Sequence, residues 1–138
     1  MLNDQLGIAN ALTDLGVVRR LLGEYAEAAK CLIKALRRYR DLGDRLGEAE
    51  TLNNLGELSL AASHPGRARA WHCQALHIAR DIATALEEAR AIEGTGRCDL
   101  HGRQRDSGLA LLREALAIYQ RLRSPNAEGI EATLREFA

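Results

Sequence analysis

The side chains in this sequence that could carry chemistry are few and scattered. Cys73 and His77 are four residues apart, a spacing that puts a thiol and an imidazole on one face of a helix, where both could ligate a metal. A structural zinc site wants four ligands, and no second pair stands at matching spacing, so no metal site is expected. Cysteine catalysis at Cys73 or Cys98 needs a base and an orienting partner. No glycine-rich phosphate loop, paired-acid motif or nucleophile elbow is present, so neither enzyme activity nor a cofactor is expected. Polar recognition has better candidates. Arg90 and Arg97 could each grip a carboxylate through two parallel N–H bonds. Asn53 and Asn54 each offer a donor and an acceptor, which suits a peptide backbone of any sequence. The Arg37-Arg38-Tyr39-Arg40 cluster is brief and flanked by Asp41 and Asp44, so it reads as a helix C-terminus whose cations offset the dipole.

Composition narrows what can hold these groups in place. Leu and Ala number 23 each, a third of the 138 residues, against 2 Val and 7 Ile, and aromatics are only 4%. Helices favour Ala and Leu while strands favour β-branched and aromatic residues, so a sheet protein is excluded and an all-α fold expected. The 19 basic and 19 acidic residues cancel, which leaves no electrostatic footprint for nucleic acid or an anionic membrane. No apolar run approaches the roughly 20 residues needed to cross a bilayer, and no signal peptide is visible. Cys31, Cys73 and Cys98 form an odd set without CxxC spacing, which points to a reducing, cytoplasmic setting. Arg outnumbers Lys by 17 to 2, a bias read as that of a GC-rich genome, since acids match the total.

The elements repeat. Shifting the chain by 40 residues aligns Leu2, Leu42, Ile82 and Leu122; Ala9, Ala49 and Ala89; Leu12, Leu52 and Ile92; and Gly16, Gly56 and Gly96. Ala28, Ala68 and Gly108 align as well, followed by Ala35, Ala75 and Ala115 and then Leu36, Leu76 and Leu116, with no gap anywhere. Asp4, Asp44, Thr84 and Ser124 fall in one column, and such side chains cap helix N-termini, so they predict four helix starts. Thr84 with Glu87 reads as a capping box, and Pro125 follows Ser124 at the favoured first helical position. First helices are expected to about Leu21, Ala61 and Leu100, broken at Gly23, Ser63-His64-Pro65-Gly66 and Gly102. Second helices follow over about Glu24–Leu42, Arg67–Ile82 and Arg103–Leu122. The expectation is one domain over residues 1–138, with repeats at about 4–43, 44–83 and 84–123 and a capping helix at about 125–137. Glycine inside a helix costs about 1 kcal/mol against alanine, so Gly16, Gly56 and Gly96 call for a compensating close approach, assigned to the small column Ala28, Ala68 and Gly108. His72 stands in a column with Leu32 and Leu112 and is expected half-buried in the core.

This pattern resembles the tetratricopeptide repeat. The residues carrying the resemblance are Leu15-Gly16, Ala28, Leu32 and Ala35, then Leu55-Gly56, Ala68, His72 and Ala75, then Thr95-Gly96, Gly108, Leu112 and Ala115. The family's early Trp is replaced by Leu12, Leu52 and Ile92, and its Tyr by Arg19, Ser59 and Asp99. Its terminal Pro is replaced by Arg40, Arg80 and Gln120, which lets the second helix run on and stretches the period from 34 to about 40. The longer form is similar to repeat arrays of bacterial signalling regulators and spindle-orientation scaffolds, and most to the C-terminal arrays of actinobacterial antibiotic-regulatory transcription factors and their ATPase relatives.

The resemblance implies an α-solenoid of three hairpins plus a capping helix, with first helices lining a concave groove. The groove residues would then be Asn10, Thr13, Val17 and Arg20; Glu50, Asn53, Asn54, Glu57 and Leu60; and Arg90, Glu93, Arg97 and Leu100. These residues either bind a partner or simply solvate an exposed face, as Glu93 with Arg97 would. The Lys and Asn clamp of chaperone-tail readers is not met. The implied function is a protein- or peptide-binding scaffold within a larger regulatory protein, with no nucleic-acid or membrane contact. The alternative is a structural self-association or autoinhibitory module of a bacterial transcriptional regulator. Leu2-Asn3-Asp4 falls at a repeat boundary without a cap, which points to a fragment of a longer array or to an end that pairs with a second copy as a homodimer.

Overall fold

The computed structural model describes residues 2–138, with side chains from Asp4 onward, and these residues form helices and no strand. The side chains of Leu2 and Asn3, first members of the repeat columns and of the uncapped start, lie outside the described residues. The helices are α1 (Leu2–Leu21), α2 (Tyr25–Leu42), α3 (Arg45–Ala61), α4 (Pro65–Asp81), α5 (Ala85–His101), α6 (Arg105–Leu122) and α7 (Ala127–Glu136). They pair as hairpins α1/α2, α3/α4 and α5/α6, and successive hairpins stack through α2 on α3 and α4 on α5. The first helices stand side by side, α1 by α3 and α3 by α5, and α7 closes the far end on α6. This is an all-α solenoid of helical hairpins with a terminal helix.

Helices α1 to α6 stop in the same way. Gly23, Gly43, Ser63, Ala83, Arg103 and Arg123 all have positive φ, between 54° and 80°, and they stand 20 residues apart. After each, a backbone N–H reaches five residues back, from Glu24 to Arg19, Asp44 to Tyr39, His64 to Ser59, Thr84 to Ala79, Gln104 to Asp99 and Ser124 to Tyr119. This six-to-one closure satisfies carbonyls that a helix end leaves open. The half-period of 20 residues is therefore one helix plus one such turn, and the sequence columns at 40 count two of them.

The helix starts are less uniform than the cap column predicts. Asp44 caps α3, its Oδ1 accepting from the Gly47 N–H at 2.9 Å. Asp4 lies inside the first turn of α1, past the N-cap position that the column predicts. Thr84 occupies the N-cap of α5 with extended backbone, but its hydroxyl makes no cap bond and Glu87 turns inward instead of back. Ser124 stands ahead of a turn, where its Oγ accepts from Asn126 N–H at 3.2 Å, so α7 begins at Ala127 and Pro125 precedes it. In α4 it is Pro65, not Arg67, that opens the helix, since its missing N–H has no partner to lose there.

Alanine and leucine fill the seams. One cluster joins the first two hairpins and reaches the third, through Ala28, Leu32, Leu36, Leu52, Leu55 and Ala75 among others. A second joins α5, α6 and α7 through Ile92, Leu112, Ile118, Tyr119 and Ile130. The glycine column works by a route different from the one expected. A Cβ on Gly16 would stand 2.7 Å from the Leu32 side chain, and one on Gly56 would strike the His72 ring. Only Gly96 and Gly108 face each other directly, a Cβ on Gly108 coming within 2.9 Å of the Gly96 carbonyl. The first two glycines therefore make room for a large side chain one turn beyond Ala28 and Ala68.

Candidate functional site

Arg90 of α5 is the centre of the polar face formed by the first helices. Its Nη1 donates to Glu87 Oε1 at 2.9 Å, and its Nη2 donates to Asn54 Oδ1 at 2.8 Å and to Glu57 Oε1 at 3.0 Å. Burial works against its charge, but Glu57 and Glu87 outweigh that and hold its pKa above the usual guanidinium value. Arg90 therefore already grips carboxylates, both of them from this chain. Glu50, beside Glu87, is pushed up from the ordinary carboxylate range by burial first and by the Glu87 charge second.

Beneath Arg90 the network continues into the core. Glu87 is buried, and its carbonyl oxygen and Oε1 accept from Asn53 Nδ2 at 3.1 and 3.0 Å. With its amide nitrogen committed there, Asn53 turns Oδ1 to His72 Nδ1 at 2.8 Å. That oxygen only accepts, so the His72 proton sits on Nδ1 and Nε2 is left as an acceptor. Burial lowers the His72 pKa to about 4, which keeps the ring neutral at physiological pH. The expectation of a half-buried His72 is thus corrected to a fully buried one. Asn53 is likewise removed from the groove surface, because every polar atom of its amide is spent in the core.

The other expected groove residues separate by position. Asn10 and Thr13 lie against Tyr39, whose hydroxyl donates to Asn10 Oδ1 at 2.5 Å and receives Thr13 Oγ1 at 3.3 Å. Arg97 donates from Nε to Glu93 Oε2 at 2.8 Å and from Nη1 to Thr133 Oγ1 at 3.0 Å. The buried Tyr119 hydroxyl donates to the other Glu93 oxygen at 2.9 Å. Val17, Arg20, Asn54, Glu57, Arg90 and Glu93 line one cavity of about 600 Å³. Arg20 is the most loosely held cation there, 3.8 Å from Glu57 Oε2. A smaller cavity of about 200 Å³ adjoins, bordered by Leu60 and Arg97, with His72 at its floor where Gly94 leaves room for the ring.

Tyr119 of α6 and the segment that follows it complete the cavity, beyond the expected first-helix face. Pro125, Asn126, Glu128 and Gly129 of the last turn and α7 close the larger cavity, and Thr133 holds Arg97. Carrying the column Thr13, Asn53 and Glu93 one period further lands on Thr133, so the signal was present. The remaining candidate chemistry does not assemble. Cys73 and His77 are both exposed, and His77 Nε2 lies 3.5 Å from Asp81 Oδ2. Among the described residues no group of three or more His, Cys, Asp or Glu side chains is placed to hold a metal ion. Burial pushes the Cys98 thiol up, away from the thiolate form that nucleophilic chemistry needs. No helix among the described residues is long and apolar enough to cross a membrane.

The sequence profile of the family described as Tetratricopeptide repeat matches residues 7–81, more than half of the chain and most of the first two hairpins. No curated protein matches the chain.

Proposed function

The chain belongs to the tetratricopeptide repeat family, and we propose that it works as one protein-binding domain whose groove takes an extended or helical peptide segment of a partner. Such repeats are generally protein-interaction scaffolds. The observation that carries the reading is the cavity of about 600 Å³ where α1, α3, α5, α6 and α7 meet, with Val17 as an apolar contact and Arg20 as a loosely paired cation. An acidic group on the peptide is the complement of Arg20. Balanced charge supports a partner other than nucleic acid. Free cysteines support a reducing, cytoplasmic setting. The similarity of the long repeat to C-terminal arrays of actinobacterial regulators supports a place within a larger regulatory protein. The exposed apolar side chains of α1 favour a second reading, self-association of the array.

The groove reading is tested by capturing partners from native lysate, identifying the bound peptide segment, and titrating it against the chain. Arg20→Ala combined with Val17→Ala should weaken the titrated affinity at least tenfold, with the helical circular dichroism unchanged. Undiminished affinity in that double variant rejects the site.

A further inference from the structure

Repeat symmetry identifies which face of α1 is normally covered. Positions 8, 11, 15, 18 and 22 correspond one period later to 48, 51, 55, 58 and 62, the face that α3 turns towards α2. There Leu55 and Leu58 are 2% and 4% exposed, and Thr51 is fully buried. The matching Leu15, Val18 and Leu22 are 42%, 50% and 69% exposed. Ile8, Ala11, Leu15, Val18 and Leu22 follow spacings of three and four, the apolar seam by which one helix packs along another. No charge interrupts those five positions.

The seam departs from its own repeat in one informative place. Arg40 Nε donates to Glu48 at 2.9 Å and Arg80 Nε donates to Glu88 at 3.0 Å, so α2 and α4 each lock to the next hairpin through the same Arg–Glu pair. The position that precedes Glu48 and Glu88 in this column is Ile8. A hairpin of the usual kind docking on α1 would set its arginine against an isoleucine, a desolvated cation without a partner. A face that is apolar along its whole length is matched instead by a copy of itself, since an isologous contact sets seam against seam. We infer that two copies of this chain dimerise through the Ile8–Leu22 seam of α1. The contact continues the inter-hairpin interfaces already made by α2 on α3 and α4 on α5. It lies on the side of α1 away from Val17 and Arg20, so the groove stays open. The inference rests on the self-association reading and is independent of peptide binding.

Sedimentation velocity of the full chain from low to high micromolar concentration tests it. The expected mass at the upper end is twice that of one chain. Leu15→Glu with Val18→Glu should give the single-chain mass throughout, with unchanged far-ultraviolet circular dichroism because both side chains are exposed. Ile8→Glu, which restores the repeat's glutamate, should weaken dimerisation at least tenfold. A wild-type chain that stays single at high micromolar concentration, a mass that grows past two copies, or a dimer that survives the double glutamate variant each overturns the proposal. Peptide affinity is expected to survive Leu15→Glu/Val18→Glu, which separates failure of this interface from failure of the groove.

Discussion

Replacing His72 with leucine should remove a specific part of the protein's acid sensitivity. The wild-type ring is buried, neutral and bonded to Asn53, with its pKa lowered from 6.5 to about 4. In the unfolded chain the ring takes up a proton as pH falls through 6.5, while the folded chain takes it up only near pH 4. Between those values the unfolded state binds more protons, so stability falls as pH falls; the stabilising contribution is fully present above pH 6.5 and lost below about 4. A shift of about 2.5 units corresponds to a loss of about 3 kcal/mol when complete, with most of it reached at pH 4.5. Leucine fits the column, since Leu32 lies over Gly16 as His72 lies over Gly56. It leaves Asn53 Oδ1 without its donor, at about 1–3 kcal/mol independent of pH, so the slope is diagnostic and the absolute value is not. Urea unfolding of both proteins at pH 7 and pH 4.5 gives the comparison, and titrations common to both cancel in the difference. The wild type should lose about 2–3 kcal/mol more than His72→Leu over that range. Parallel pH profiles would show that the His72 ring is not held neutral by burial.

Two further outcomes concern the backbone. Ala83 holds φ at 57° in its turn, where a left-handed residue with a Cβ is strained, so Ala83→Gly should raise stability by about 0.5–1 kcal/mol and lift Tm by a few degrees in calorimetry. Gly56→Ala should destabilise by at least about 1–3 kcal/mol through collision with His72, whereas Gly7→Ala, with open space around it in α1, should stabilise by up to about 1 kcal/mol; equal effects of the two would discount the close-approach account.

Much of the fold was legible because its causes are local or periodic. Small-residue columns at 40 residues, breakers between them and apolar stripes within them marked seven helices to within a few residues. Ser124 and Thr84 misled because a capping side chain is only an offer of a bond. Thr84's offer goes unused, and Glu87 is drawn inward by Asn53 and Arg90. The candidate site was half legible. The periodicity of the first helices marks the polar face, but a short terminal helix reads as a cap and its sequence does not show that it forms a wall of the cavity.

The sequence by itself determined the helices and their 40-residue register, because helix propensity, apolar periodicity and chain breakers act over a few residues and repeat. Which polar side chains are spent on bonds within the chain, and which stay at the groove, was decided only by the tertiary structure. Asn53 meets Glu87, and Arg90 meets Asn54 and Glu57, across 33 to 36 residues, so each commitment depends on how one hairpin stacks on the next. Identical columns acquire different fates for the same reason. Leu55 and Leu58 are buried by the preceding hairpin, whereas Leu15 and Val18 have no hairpin before them among the described residues and remain exposed.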